Sequence, residues 1–199
     1  PSEKISHIRQ EHMPSIRIDD KHERYMNLLA SVKGLEPIPT AVAHPCDVES
    51  LKGPVIAFQE GIIEPFLIGP ESKIRSVAEE FGIDLHGIRI VNAKHSHDSA
   101  ALAVSMVRTG DAEALMKGSL HTDELMSEVV SRANGLRTAR RISHVFVMNV
   151  PTYHRPLLIT DAAINIKPTL EDKVDIIQNA IDLAHILGIP EPKVAILSA

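Results

Sequence analysis

Cysteine is almost absent: Cys46 is the only one, so the chain can close no internal disulfide and no cysteine cluster can hold a metal ion. Aromatic residues amount to 3% and tryptophan is missing, which argues against a stacking platform for nucleic-acid bases and against a β-sandwich built on aromatic packing. Basic residues are not in excess, with 21 Lys and Arg against 26 Asp and Glu and a net charge of -5, so neither nucleic acid nor an anionic membrane surface is indicated as a partner. No uninterrupted apolar run approaches membrane-spanning length and no charged-then-apolar leader opens the chain, which sets the expectation of a soluble, cytoplasmic protein.

What the 199 residues do contain is 44% hydrophobic side chains, mostly small and branched aliphatics, enough for one good core or for one domain with part of another. That balance suits parallel strands covered by helices. Residues 1–20 have mixed charge and little periodicity and read as a tail. A helix from Lys21 to Gly34 would place Tyr25, Leu28, Leu29 and Val32 on one face. A βα alternation follows. It comprises a strand over 40–43, a helix over 47–60 kinked or restarted at Pro54, a strand over 65–69, and a helix over 71–81 with Ile74, Val77, Ala78 and Phe81 inward. Then come a strand over 88–93, a helix over 96–108 closed by Gly110, a strand over 114–116 and a helix over 121–133.

Repeated βα units with short connections predict a doubly wound, mostly parallel sheet. After Gly135 the character changes. Strands over 144–150 and 156–161 suggest a second sheet, and a helix over 169–187 would carry Val174, Ile177, Ile181, Ala184 and His185 along one stripe. An apolar strand over 194–197 closes the sequence. Since such a strand normally leads into another crossover, the expectation is of a fragment whose second domain needs further elements.

The stretch Ala114-Leu-Met-Lys-Gly-Ser-Leu-His-Thr122 reads as strand, glycine turn and helix start. The first N–H groups of a helix lack intrahelical acceptors and carry partial positive charge, so the turn suits an anion. Lys117 would add a charge, Ser119 and Thr122 hydroxyl donors, and Gly118 room for backbone to approach a ligand. The same residues also serve an ordinary turn and cap, and spacing alone leaves both open. Neither the nucleotide P-loop pattern nor Gly-x-Gly-x-x-Gly is present.

Asp161 and Asn165 follow an apolar strand and lie where polar side chains can face a cleft, or can satisfy turn backbone. Arg137, Arg140 and Arg141 offer guanidinium forks to phosphate, against the commoner role of a solvated charge run. Ser143-His144 is open in the same way. His95 and His97 precede a helix without acidic or cysteine partners at metal-ligand spacing, which favours capping or exposure, with Asp98 another capping candidate. Cys46 before a helix start reads as a small buried residue.

These residues resemble the family of phosphate acetyltransferases and phosphate butyryltransferases. The resemblance is carried by Thr40-Ala-Val-Ala-His-Pro-Cys-Asp47, Pro65-Phe-Leu-Ile-Gly-Pro70, the run from Ala112 to Met126, Arg141-Ile-Ser-His-Val-Phe-Val-Met148 and Leu157-Leu-Ile-Thr-Asp-Ala-Ala-Ile-Asn165. It is nearest to the transacylase half of bifunctional enoyl-CoA hydratase and phosphate acetyltransferase proteins, in which a hydratase domain comes first. The implied fold is two doubly wound α/β domains of the isocitrate- and isopropylmalate-dehydrogenase type, with the site in the cleft between them. That assigns residues 1–33 to a tail, linker and helix, 34–141 to the first domain and 142–199 to part of the second.

The implied reaction interconverts acyl-CoA plus phosphate with acyl phosphate plus CoA by direct transfer. Coenzyme A is a substrate, and no bound cofactor or metal is expected. By the same resemblance Lys117, Gly118, Ser119, His121 and Thr122 line the phosphate side, and Ser143, Asp161 and Asn165 face them as substrate-binding residues. The family's catalytic Ser-Arg and Asp group belongs to a segment that would follow Ala199, and an arginine that longer acetyltransferases carry after the glycine turn is missing from residues 125–130. A homodimer is implied for the full-length form. A non-catalytic module that binds phosphate or acyl phosphate is the alternative, and a nicotinamide-dependent dehydrogenase of similar fold lacks its motifs.

Overall fold

The computed structural model describes residues 20–150, 153 and 155–197, and the side chains from Tyr25 onward within them. The tail expected over the first residues lies outside this range up to residue 19. The elements run α1 (Asp20–Val32), β1 (Ile38–Ala43), α2 (Val48–Gln59), β2 (Ile63–Gly69), α3 (Glu71–Phe81), β3 (Arg89–Asn92), α4 (Ser96–Thr109), β4 (Ala114–Lys117), α5 (Thr122–Val129), β5 (Phe146–Met148), β6 (Leu157–Ile159) and α6 (Leu170–Ile186).

Strands β1 to β4 form one parallel sheet in the order β3-β2-β1-β4. Side chains alternate across a strand, so Ala41, Ala43, Phe66 and Ile68 point to one face, where α4 and α5 bring Ala100, Ala103, Val104, Leu125 and Val129. Val42 and Leu67 point to the other, against Leu51 and Val55 of α2 and Ile74 and Ala78 of α3. Helices thus cover both faces, as the small aliphatic composition requires. Full burial of Leu51, Leu67, Ile68 and Ile74 contributes about 2 kcal/mol each relative to exposure.

Local chemistry sets the helix ends. Asp47 accepts from the Ser50 N–H at 2.8 Å and the Ser50 side chain reaches the Asp47 backbone, a reciprocal cap for α2. Pro54 is buried inside that helix, which runs uninterrupted past the break expected there. Gly82 (φ 63°) and Gly110 (φ 85°) close α3 and α4 in the left-handed conformation.

Several expectations are corrected. Phe81 is exposed, because the buried side of α3 is set by Ile74 and Ala78. The helix expected to reach residue 133 ends at Val129. There the chain turns back so that the Leu136 N–H bonds the Val129 carbonyl at 2.8 Å and Leu136 packs on the core.

In α6 Ala184 of the expected stripe is buried and Ile177 and Ile181 are half-buried, while Val174 and His185 face out and Ile176 is buried in their place. Residues 192–197 form no regular strand, and Val194, Ile196 and Leu197 are exposed. The face of α1 carrying Tyr25 and Leu28 is likewise exposed.

Strands β5 and β6 pair antiparallel as a separate two-stranded sheet, shorter than expected, with Phe146, Val147, Met148, Leu157 and Ile159 exposed. Of the residues between them, 151, 152 and 154 lie outside the described range.

Candidate functional site: the β1–β4 junction and the arginine-lined cleft

The order β3-β2-β1-β4 reverses direction between β1 and β4, because the chain first grows outward through β2 and β3 and then returns to the other side of β1. Loops diverge at such a point and leave a crevice at the carboxyl ends of the strands. Here the two loops are His44-Pro45-Cys46 and Gly118-Ser119-Leu120.

They are stitched together closely. The Gly118 N–H donates to the Ala43 carbonyl at 2.8 Å and the Ser119 N–H to the His44 carbonyl at 2.9 Å. The Ser119 hydroxyl donates to the same carbonyl at 3.0 Å and accepts from the Cys46 N–H at 3.1 Å. The Cys46 N–H is also 2.9 Å from the His44 carbonyl, so it is shared. A Cβ on Gly118 would stand 2.4 Å from the Ala43 carbonyl oxygen, which accounts for glycine there by backbone packing against β1.

Of the residues expected on the phosphate side, Gly118 and Ser119 therefore shape the turn. Lys117, His121 and Thr122 are exposed beside it. His121 makes no side-chain cap, so the first-turn N–H groups of α5 have no side-chain acceptor there, although Asp123 and Glu124 already complement the helix dipole.

His44 lies within the Thr40–Asp47 motif and carries more than its sequence context shows. It precedes a proline, which favours extended backbone, yet its φ is 56°. Contacts to its carbonyl from Cys46 and Ser119 hold it in that conformation, a strained setting that recurs at functional sites. The ring is buried, with Nδ1 3.2 Å from the hydroxyl of the fully buried Ser99. Burial lowers the imidazole pKa from its ordinary value, helped by the positive charge of Lys73 and by His95 and opposed by Glu124.

Cys46 is buried and burial raises its thiol pKa, which fits the structural role expected of it. His95 caps α4 by accepting from the Asp98 N–H at 3.3 Å, also as expected, and its other ring nitrogen lies 3.3 Å from the Asp98 carboxylate. Among the described residues, no group of three or more His, Cys, Asp and Glu side chains is arranged to hold a metal ion.

Ser143, Asp161 and Asn165 come together elsewhere. The Asp161 carboxylate accepts from the His144 N–H at 2.7 Å and from the Asn165 N–H and side chain at 2.6 Å each. Burial raises its pKa, and the hydrogen bonds from His144, Asn165 and Ile164 outweigh that, leaving it lowered. The Asn165 side chain also donates to the Ile142 carbonyl at 3.0 Å and accepts from Arg141 Nε at 2.7 Å. The Asn179 side chain donates to the Ser143 hydroxyl at 2.9 Å. Turn satisfaction, one of the two readings left open for Asp161 and Asn165, is thus what these bonds do.

Ser143 and Asn165 line a cleft of about 860 Å³ between the end of α5 and α6, a volume typical of small-molecule sites. Arg140 in its wall pairs with Asp182, and Arg141 with Asp172 at 3.7 Å. Arg137, also in the wall, is exposed and makes no ion pair or hydrogen bond among the described residues. No hydrogen bond joins this group to the Lys117–Thr122 turn among the described residues.

A parallel sheet with helices on both faces and a strand-order reversal between β1 and β4 defines a doubly wound α/β protein. Residues 93–199 match the family described as phosphate acetyl/butaryl transferase, and the chain belongs to that family. It is 55% identical over 182 residues to the phosphate acetyltransferase of Rickettsia prowazekii (strain Madrid E), covering 91% of this chain and 52% of that protein. It is 35% identical over 175 residues to the phosphate butyryltransferase of Clostridium acetobutylicum, covering 88% and 58%.

The crystal structure of a branched-chain phosphotransacylase from Enterococcus faecalis V583 superposes with a TM-score of 0.59 at 26% identity, over 76% of this chain and 52% of that one. The chain thus spans about half the length of the curated relatives it matches.

Proposed function

We propose that this chain supplies roughly half of a phosphate acyltransferase that interconverts acyl-CoA plus phosphate with acyl phosphate plus CoA, the acyl group being acetyl or butyryl. The observation that carries this is the family match across residues 93–199, which runs from the end of β3 through the glycine turn, the arginine-lined cleft and α6. In the reaction a phosphate oxygen attacks the thioester carbonyl, the tetrahedral oxyanion collapses, the C–S bond breaks and the thiolate takes up the proton that phosphate gives up.

Anion binding falls to groups that are chemically available. Lys117, His121 and Thr122 are exposed beside the turn, the first-turn N–H groups of α5 have no side-chain cap, and Arg137 offers a planar two-donor fork in the cleft. Gly118 and Ser119 hold the turn, and Ser143, Asp161 and Asn165 hold the wall of the cleft. Coenzyme A is a substrate in this reading, no bound cofactor is required, and the working form is a cytoplasmic homodimer.

The test is CoA-dependent consumption of acetyl phosphate and butyryl phosphate. The 199-residue chain is assayed beside the same chain continued with the remaining half of the Rickettsia prowazekii relative. The extended protein is expected to be active, and Arg137→Ala in it to raise KM about tenfold or more, the loss of one charge-assisted pair. A folded extended protein that consumes neither acyl phosphate would overturn the assignment.

A further inference from the structure

Residue 44 ties four elements together. Its N–H donates to the Ile68 carbonyl near the end of β2 at 2.7 Å, and its carbonyl accepts from the Ser119 N–H at 2.9 Å, the Ser119 hydroxyl at 3.0 Å and the Cys46 N–H at 2.9 Å. Both donors of Ser119 thus end on one oxygen. A Cβ on Gly118 would stand 2.6 Å from that oxygen and 2.7 Å from the carbon that bears it, so the turn meets His44 with no side chain between them. The direction of the His44 peptide therefore sets where Ser119 lies, and with it the turn that carries the chain from β4 into α5.

The backbone does not hold that direction unaided. A φ of 56° crowds the Cβ of any residue but glycine, and the proline that follows favours extended backbone instead. Glycine would adopt the conformation without steric cost. What histidine adds is a buried ring that reaches α4, where Nδ1 lies 3.2 Å from the Ser99 hydroxyl.

Ser99 is a firm anchor. It is fully buried, its hydroxyl also donates to the His95 carbonyl at 2.8 Å, and its helix packs Ala100, Ala103 and Val104 against Ala41 and Ala43 of β1. The ring of His44 is fastened to the rigid body of the domain, and its carbonyl holds the turn.

We infer that His44 is a positioning residue of the acyltransferase site. Its ring, bound to Ser99, holds the left-handed peptide whose carbonyl places Ser119 and the turn from Lys117 to Thr122. It acts through the turn and not by touching substrate. This rests on the acyltransferase reading above, in which that turn takes the phosphate side, and adds a residue on which its geometry depends.

The experiment uses the extended enzyme in the direction acyl-CoA plus phosphate, with KM for phosphate, KM for acetyl-CoA and butyryl-CoA, and the urea midpoint measured for each variant. His44→Gly keeps the backbone conformation and removes the ring. Ser99→Ala keeps the ring and every backbone tie of His44, and removes the anchor. His44→Asn tolerates positive φ and puts an amide atom where Nδ1 stands, so it is the conservative rescue.

His44→Gly and Ser99→Ala are each expected to raise the phosphate KM about 5- to 10-fold, with the acyl-CoA KM within about twofold. Because the two changes break one interaction, the double variant is expected to be no worse than His44→Gly alone. His44→Asn is expected to bring the phosphate KM back to within about threefold of wild type.

An unchanged phosphate KM in the folded single variants, or losses that multiply in the double variant, would overturn the role of His44 and leave the acyltransferase reading standing. A lowered urea midpoint with phosphate and acyl-CoA affected alike, and no recovery in His44→Asn, would mean a structural role only and would overturn it too. A wild-type extended enzyme without phosphate-dependent turnover would overturn both.

Discussion

The β1–β4 junction and the cleft beside α6 are held together in opposite ways. At the junction, backbone meets backbone over a buried aliphatic floor: Ala41, Val42 and Ala43 are fully buried, and side chains longer than hydrogen have no room at Gly118. At the cleft, side chains meet side chains on the surface. Asp161, Asn165, Arg141 and Asn179 form a hydrogen-bonded web, while the β5–β6 sheet next to it leaves its apolar residues exposed. The first arrangement resists any change of volume, and the second tolerates substitution at the cost of single hydrogen bonds.

Urea denaturation separates the two regimes. Leu67→Ala empties a fully buried position at the centre of the main sheet and is expected to cost about 3–4 kcal/mol. Gly118→Ala pushes a methyl group against the Ala43 and His44 carbonyls and should cost about 2–3 kcal/mol, with any anion binding at the turn lost as β4 is displaced.

In the cleft, Asp161→Asn removes a charged acceptor while keeping the shape, for about 1.5 kcal/mol at neutral pH in a partly solvated site. Because hydrogen bonding holds the folded Asp161 pKa below its ordinary 3.8, that contribution is complete above the ordinary value and fades as pH falls through the lowered one. The gap between wild type and variant is thus expected to close in acid. Val147→Thr on the exposed strand β5 should change stability by less than about 0.5 kcal/mol. A loss at Val147 comparable to that at Leu67 would erase the contrast.

Much of the first region could be read from local punctuation. Gly82 and Gly110 mark helix ends because positive φ is cheap only without a Cβ, and Asp47 marks a helix start because its carboxylate reaches an orphan N–H. Burial phase was harder. Period placed Ala184 on the inward stripe of α6, where it is buried, but it also placed the exposed Val174 there and missed Ile176, because the exact inward phase depends on what the helix packs against.

The site was legible as a place and less so as a set of roles. Ser119 looks like a ligand donor in its own stretch, and only the arrival of His44 from 75 residues earlier turns its hydroxyl inward. A separation of 55 positions likewise hid the partner of His44, Ser99, whose hydroxyl lies 3.2 Å from the ring Nδ1. Asp161 and Asn165 illustrate the converse case, since the two partners stand only four positions apart.

The separation between His44 and Ser119 also bears on synthesis. At roughly 5–20 residues per second, His44 leaves the ribosome about 4–15 s before Ser119 can reach it. Throughout that interval β1, whose side chains end up among the most deeply buried in the protein, has one hydrogen-bonding edge open where β4 will later lie. An open edge on an aliphatic strand pairs readily with another chain, so the nascent protein is most exposed to aggregation between the emergence of β1 and that of β4. A ribosome stalled before Ala114 would present that vulnerable species, and one stalled well after Val129 would not.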